Sequence, residues 1–183
     1  YDASYITMDE VIAQKQLYAA EHNELAVNMQ LVNSQFILSQ LISIYRKHDS
    51  ATNKQILLDT NSESIDFNTD AAILKRILSN MLKNALEASE QKESVIVGAS
   101  HYTENKIKLY VKSNAYIPYN IQKNIFARSF STKGEGRGVG TYSIKLLGEQ
   151  YLKGSVGFSS TKENGTEFYI ILDIVTSSSV TMQ

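Results

Sequence analysis

Between residues 70 and 89, apolar side chains recur every three or four positions: Ile73, Leu74, Ile77, Leu78, Met81, Leu82, Ala85 and Leu86. Because an α-helix has about 3.6 residues per turn, this spacing places all of them on one face. The pattern predicts an amphipathic helix, capped at its start by Thr69 or Asp70. Such a helix needs a broad apolar surface to pack against.

Several short segments have the composition of β-strands: 25–32, 55–59, 94–102, 106–112, 155–161 and 166–174. In 106–112, Ile107, Leu109 and Val111 alternate with polar residues, so one face of that strand is expected to be buried. Short turns at 103–105 and 163–165 favour antiparallel hairpins. The predicted fold class is α+β, a two-layer α/β sandwich with a mixed, mostly antiparallel sheet covered on one face by helices.

Four other segments are predicted to be helical. The first, at 8–24, has only a thin apolar stripe and needs a partner, either a second copy or a helix outside this sequence. The second, at 34–48, is expected to be capped by Ser34 and to carry on one side Phe36, Ile37, Leu41, Ile44 and Tyr45. A short helix begins at Pro118, and a last one at 141–152 ends with Gly154 as its C′ residue.

Composition excludes several classes of function. The formal net charge of −1 gives no basic footprint for nucleic acid or for a membrane surface. The absence of cysteine rules out disulfides and thiolate metal sites, and it agrees with a cytoplasmic location. No apolar run is long enough to span a bilayer, so any membrane anchor of a longer parent protein is expected outside this chain.

Asn80 and Asn84 are the first candidate site. They lie one helical turn apart in the predicted 70–89 helix, so both amides share a face. Asparagine is a poor helix former, and a carboxamide oxygen is a hard ligand that suits Mg²⁺ beside substrate phosphates. The alternative is two solvated polar residues on the outer face of the helix.

The second candidate site is the glycine-rich sequence STKGEGRGVG at 131–140, which leads into a helix. Alternate glycines let backbone N–H groups approach an anion closely, and the helix start adds a positive dipole end. Lys133 and Arg137 add charge suited to a terminal phosphate. The alternative is a flexible surface loop, and neither a Walker nor a Rossmann pattern is present.

Together these segments resemble the catalytic domain of sensor histidine kinases, whose superfamily includes gyrase, heat-shock chaperone and mismatch-repair ATPases. Asn80 to Asn84 is similar to the N box, and FARSF at 126–130 to the F box. STK at 131–133 with the glycines at 136–140 resembles the phosphate lid and second glycine box. GTEF at 165–168 resembles the closing hairpin. The likeness runs from about 25 to 174, in the family's order and spacing.

The resemblance implies ATP and Mg²⁺ as cofactors and a role for each matching residue. Asn84 would bind the Mg²⁺, Asn80 would support it or orient phosphate and water, and Lys133 would approach the γ-phosphate. The other nucleotide contacts would come from Ser113, Asn114, Phe126, Phe130, Ser131, Thr132, Gly136, Arg137, Gly138, Val139, Gly140 and Thr141. Phe126 and Phe130 would anchor the lid, although both are equally well explained as core aromatics.

One departure from the family pattern concerns the adenine site. The family's first glycine box carries an Asp that accepts a hydrogen bond from the adenine amino group, and here the sequence reads VKSNAYIP at 111–118. Ser113 or Asn114 would replace it as a neutral acceptor, and Tyr116 would fill part of the pocket. Because a neutral acceptor is weaker, we expect weak nucleotide affinity or altered base selectivity.

The phosphate acceptor is expected outside this chain. None of His22, His48 and His101 lies in the family's acceptor motif. We therefore expect residues 1–24 to end a dimerisation helix, 25–175 to be the catalytic domain and 176–183 to be a loose tail. The implied partners are the acceptor-histidine dimerisation domain of the same protein, a second copy of it and a response regulator.

Two other functions remain open at this stage. One is a kinase-like domain that binds nucleotide weakly and signals through protein contacts. The other is an ATPase of the same superfamily, although those enzymes place an activating Glu where this chain has Asn80, which favours transfer over hydrolysis.

Overall fold

The computed structural model describes residues 8–128 and 139–174. Its helices are α1 (Met8–Glu21), α2 (Ser34–Tyr45), α3 (Ala71–Ala88), the short α4 (Tyr119–Gln122) and α5 (Val139–Lys145). A π-helical segment, Leu146–Tyr151, continues α5, and a 3₁₀ turn spans Asp49–Ala51. Among these described residues, no helix is both long and apolar enough to cross a bilayer.

The strands are β1 (Gln30–Asn33), β2 (Gln55–Leu58), β3 (Asp66–Thr69), β4 (Ser94–Thr103), β5 (Lys106–Ser113), β6 (Ser155–Thr161) and β7 (Gly165–Asp173). Five of them form one sheet in the order β2-β4-β5-β7-β6, and β1 pairs with β3 in a separate two-stranded sheet. Only the β2–β4 pairing of the large sheet is parallel. The sheet is therefore mixed and mostly antiparallel, as the sequence predicts.

The core lies between one face of the large sheet and helices α2, α3 and α5. All eight apolar residues of the α3 pattern are buried. The sheet contributes the alternate residues of its central strands, and these are Val95, Val97 and Ala99, then Ile107, Leu109 and Val111, then Phe168, Ile170 and Leu172. The predicted two-layer α+β sandwich is thus confirmed.

The opposite face of the sheet carries polar and aromatic side chains. The Tyr110 hydroxyl donates to Asp59 Oδ2 at 2.9 Å, and its ring lies over Gly98, where a Cβ atom would come within 2.4 Å of the hydroxyl. Glu167 pairs with both Lys108 and Lys112 across β5 and β7. Hydrogen bonds and ion pairs therefore join neighbouring strands on this second face.

The start and the inner side of α2 differ from prediction. Asn33, not Ser34, is the N-cap, because Asn33 keeps an extended backbone while its side chain accepts from Phe36 N at 3.2 Å. The Ser34 hydroxyl instead donates to Glu63 O at 2.8 Å. Phe36 and Ile44 are 62% and 64% exposed, because the helix buries a narrower stripe: Ile37, Leu38, Leu41 and Ile42.

The role predicted for Gly154 is also wrong. Lys153, with φ +55°, is the residue in the left-handed conformation after the last helix. A Cβ atom at Gly154 would lie 2.6 Å from both Ile171 O and Leu172 Cδ2. Close approach to β7 therefore explains the glycine.

Candidate functional site

Helix α3 positions Asn80 and Asn84. Asp70 caps it, because its Oδ1 accepts from the backbone of Ala72 at 2.9 Å and of Ile73 at 3.0 Å. Its Oδ2 accepts from Asn28 N at 2.7 Å, which ties the chain before β1 to the helix start. With the apolar face of α3 fixed against the sheet, both asparagines lie half-buried along the border of that face.

Asn84 lies against the first turn of α5. A Cβ atom built on Gly140 would be 3.6 Å from Asn84 Oδ1 and 3.7 Å from its Nδ2. The Nδ2 atom is buried and has no hydrogen-bond partner among the residues that the structure describes. Because an unpaired buried amide costs about 1–3 kcal/mol, this amide is well placed to gain from a bound ligand.

The glycine-rich segment is described only in part. Val139, Gly140 and Thr141 form the start of α5, and Thr141 is half-buried. In the next turn the Ser143 hydroxyl is buried, again without a partner in the described part of the chain. The remaining predicted residues of this segment lie outside the described residues: Phe130, Ser131, Thr132, Lys133, Gly136, Arg137 and Gly138.

Phe126 belongs to an aromatic cluster on the sheet. Its ring meets Phe158 at 5.7 Å and Phe168 at 6.2 Å, both edge to face. The Lys145 ammonium lies 5.5 Å from the centre of the same ring. Phe126 therefore fixes the chain that follows α4 against both the sheet and α5.

The two candidates for the adenine site differ in burial. Ser113, two residues after the buried Val111, is buried on the face that α3 covers and pairs with Thr166 of β7. Asn114 is exposed, and its Nδ2 is 3.4 Å from Glu93 Oε1. Ser113 therefore lies on the side of the sheet that α3, the helix of Asn84, covers.

The loop after β5 is held by two hydroxyl groups of the β6–β7 hairpin, which the sequence analysis did not include among the site residues. The Thr166 hydroxyl donates to Ala115 O at 2.6 Å and lies 2.7 Å from Ser160 Oγ, which accepts from Ile117 N at 2.9 Å. Gly165 has φ +68°, and a Cβ atom there would be 2.1 Å from Ser113 O. The Gly-Thr pair at the start of β7 is the sequence signal that could have revealed this support.

Each of the three histidines has a hydrogen-bonding partner. His22 Nδ1 lies 2.8 Å from Tyr18 O, and His48 caps the 3₁₀ turn through Ser50 N. His101 pairs with Glu63 at 2.7 Å, and this contact lowers the pKa of the Glu63 carboxyl. The described residues contain no cluster of three or more His, Cys, Asp or Glu that could enclose a metal ion.

These features can be compared with known families. A family model described as histidine kinase-, DNA gyrase B- and HSP90-like ATPase matches residues 69–176, which is more than half of the 183 residues. The chain belongs to this ATPase family. The match begins at Thr69 and therefore includes α3, α5 and the large sheet except β2.

Two relatives within this ATPase family are sensor kinases by name. The adaptive-response sensory kinase SasA of Synechocystis is 24% identical, and the match covers 75% of this chain and 37% of SasA. The signal transduction histidine-protein kinase AtoS of Escherichia coli is 25% identical, over 79% of this chain and 23% of AtoS. The chain thus spans well under half the length of these relatives.

Solved structures show the same fold. The histidine kinase AdeS of Acinetobacter baumannii superposes with a TM-score of 0.73 at 15% identity, covering 92% of this chain and 78% of that one. The superposition shows that this chain and AdeS share one fold.

Proposed function

We propose that this chain is the ATP-binding catalytic domain of a two-component sensor histidine kinase, and that it transfers the γ-phosphoryl group of ATP to a histidine outside the chain. The observation that carries the proposal is the Asn84 amide, which lies against the first turn of α5 with Nδ2 buried and unpartnered in the described chain. Membership of the ATPase family and the names of its relatives support the same reading.

The site is suited to a polyphosphate. Asn84 Nδ2 would donate to a phosphate oxygen, and Asn80, one turn earlier, would orient phosphate and water. By resemblance, the backbone at Gly136, Gly138 and Gly140 would wrap the triphosphate and Lys133 would approach its γ-phosphate. Phosphoryl transfer depends mainly on positioning and charge neutralisation, and these groups would supply both.

Mg²⁺ fits this donor set. The described residues contain no group of three or more His, Cys, Asp or Glu side chains that could enclose a metal ion by themselves. Mg²⁺ commonly uses one or two protein oxygens together with phosphates and water. Asn84 Oδ1 would hold it, and the bound ion would neutralise charge on the phosphates.

Transfer to a protein is favoured over hydrolysis by the chemistry of position 80. The amide of Asn80 cannot accept a proton from an attacking water, because a carboxamide is not a base at neutral pH. The acceptor would be a histidine of the dimerisation domain, in the same or a partner subunit. A response regulator would then take the phosphoryl group, and the domain would work on the cytoplasmic side of any membrane.

A second candidate is a signalling module that binds nucleotide weakly. The observation that favours it is the end of β5, where the buried Ser113 replaces the Asp that the resemblance leads us to expect and Asn114 is exposed. A hydroxyl is a weaker acceptor than a carboxylate. The two candidates differ in whether a bound nucleotide is turned over.

Calorimetric titration with MgADP tests the nucleotide site. Asn84→Ala is expected to raise the dissociation constant by about tenfold or more, since a hydrogen bond to a charged group contributes roughly 1.5–3 kcal/mol. Asn105→Ala is the control, because Asn105 is exposed in the turn before β5, at the opposite end of that strand from Ser113. Equal affinities for the two variants and the parent chain would refute the role of Asn84.

Autophosphorylation separates the two candidate functions. A longer form of the protein that includes the acceptor histidine is incubated with ATP labelled on the γ-phosphate. We expect label on histidine in the parent form and its loss in Asn84→Ala. Nucleotide binding without labelled histidine would establish the signalling module instead.

A further inference from the structure

Three side chains bind the backbone of the loop that follows β5. The backbone groups that they bind are Ala115 O, Ile117 N and Ile117 O. Thr166 of β7 binds the first at 2.6 Å, Ser160 of β6 the second at 2.9 Å and Gln122 of α4 the third at 2.7 Å. We call these three side chains the loop clamp.

The two hydroxyl groups of the loop clamp form a directional chain of hydrogen bonds. Each hydroxyl has a single proton to donate. Because the Thr166 proton goes to Ala115 O, Ser160 is the donor in the 2.7 Å contact between the two hydroxyls. Ser160 Oγ in turn accepts from Ile117 N. The chain of hydrogen bonds therefore starts and ends on the loop backbone, and its members strengthen one another by polarisation.

The loop clamp lies next to Ser113, the last residue of β5. Thr166 is buried and pairs with Ser113 in the ladder between β5 and β7. At the neighbouring Gly165, a Cβ atom would come within 2.1 Å of Ser113 O. Ser113 is therefore held against the start of β7, and the clamp fixes the chain two residues further on, at Ala115.

A fixed backbone matters for what the Ser113 hydroxyl can bind. The end of a strand opens more readily than its middle, since fewer contacts hold it. A hydrogen bond weakens steeply when its angle departs from linearity, so a hydroxyl on a moving backbone is a poor acceptor. Fixing the loop after β5 before a ligand arrives removes this loss, because the ligand does not have to order the loop.

We propose that the loop clamp positions Ser113 to accept a hydrogen bond from the amino group of adenine. The inference rests on the proposed function, because it concerns the base end of that nucleotide site. Gln122, Ser160 and Thr166 are positioning residues, which act on the base through the loop backbone. Ser113 is the residue that contacts the amino group.

The test compares ADP with the diphosphate of purine riboside, an analogue that lacks the amino group of adenine. Both ligands are titrated as magnesium complexes by calorimetry. Thr166→Val removes the hydroxyl of the clamp and keeps the shape of the side chain. Thr161→Val is the matched control in the same hairpin, because the exposed Thr161 hydroxyl accepts from Asn164 N of the turn.

The parent chain should bind ADP about two- to tenfold more tightly than the analogue, as one hydrogen bond between neutral groups predicts. In Thr166→Val the affinity for ADP should fall to that for the analogue, whose own affinity should stay within about twofold of its parent value. Thr166→Ser, which keeps a hydroxyl, should retain the preference for ADP, and so should Thr161→Val. Asn84→Ala should weaken both ligands by the same factor, because it acts on the phosphates.

Two results with Thr166→Val would overturn the role of the clamp. One is an unchanged preference for ADP, and the other is an equal weakening of both ligands, which indicates a general loosening of the site. If Thr166→Val does not fold, Gln122→Ala takes its place and should lose the same preference. Gln122 is only half-buried, and its removal leaves the contact between Ser160 and Thr166 in place.

The parent chain separates this inference from the proposed function. If it binds neither ligand, the proposed function fails, and the inference fails with it. If it binds both ligands equally well, the nucleotide site stands, and only the contact between Ser113 and the amino group, with the clamp that positions it, is refuted.

Discussion

Gly140→Ala adds one methyl group between α3 and α5, beside the Asn84 amide. The new Cβ atom would lie 3.6 Å from Asn84 Oδ1 and 3.7 Å from Nδ2, which is ordinary contact distance and requires no backbone shift. The methyl group would nevertheless occupy space from which a phosphate oxygen or a metal ion could reach the Asn84 amide. The variant is therefore expected to fold more stably but to bind nucleotide more weakly.

The changes in stability and in nucleotide affinity of Gly140→Ala can each be estimated. Glycine inside a helix is less favourable than alanine by about 0.5–1 kcal/mol, so the variant should be more stable by up to that amount. In a chain of this size, that corresponds to a rise in Tm of about 1–4 °C. Loss of one hydrogen bond from the amide to a charged oxygen should raise the dissociation constant for MgADP by about ten- to a hundredfold.

Thermal unfolding and calorimetric titration measure the two effects on the same samples. Gly148→Ala is the contrasting control in the continuation of α5, because its Cβ atom would come 2.4 Å from Val156 Cγ2 and 3.1 Å from Ile170 Cδ1. That overpacking should destabilise the fold by about 1–3 kcal/mol. A Gly140→Ala variant that keeps full affinity, or that loses stability, would refute the geometry assigned to the site.

Three further predictions test other parts of the account. Because a hydroxyl both donates and accepts, the dissociation constants of the parent chain for ADP and GDP should lie within about threefold of each other. In Ser113→Asp the preference for ADP over GDP should rise above roughly tenfold, as measured by competitive titration. Burial and Asp59 raise the pKa of the Tyr110 hydroxyl above 10.0, so the free energy of unfolding should fall as pH rises above that value. In Tyr110→Phe, denaturant titrations should show that the free energy of unfolding falls less over the same pH range. Leu78 is fully buried in α3, so Leu78→Ala should cost about 2–5 kcal/mol in the same denaturant assay, whereas unchanged stability would contradict the packing described for the core.

The parts of the fold that the sequence predicts well are those with strong local periodicity. The eight apolar residues of α3 are spaced for a helix, and Asp70 has the short polar side chain that a cap requires. The β4–β5 and β6–β7 hairpins follow from alternation and from short turns. In each case the information lies within about twenty neighbouring residues, so no knowledge of the tertiary fold is needed.

Other features depend on distant residues and could not be predicted locally. Strand β3 reads Asp-Phe-Asn-Thr, which has no clear strand pattern, and it forms because β1 pairs with it. The contact between Glu21 and Arg128 joins positions 107 residues apart. Neither the pairing nor the ion pair leaves a periodic signal in the sequence.

The burial of Ser113 rather than Asn114 at the predicted adenine site could have been partly predicted from the sequence. The alternation of Ile107, Leu109 and Val111 already fixes the phase of β5, and continuing it places residue 113 on the buried face. The information was therefore present in the sequence. Using it required the assumption that the strand continues regularly to its last residue, which the structure bears out.

The convergence of Asn84 and the start of α5 on one ligand can be measured directly by nuclear magnetic resonance. The isotope-labelled chain is titrated with MgADP while the side-chain amide of Asn84, the backbone amide of Gly140 and the side-chain amide of Asn105 are followed. We predict saturable shifts for Asn84 and Gly140 with one common dissociation constant, and no shift for Asn105. Saturable binding that leaves both Asn84 and Gly140 unmoved would contradict the account.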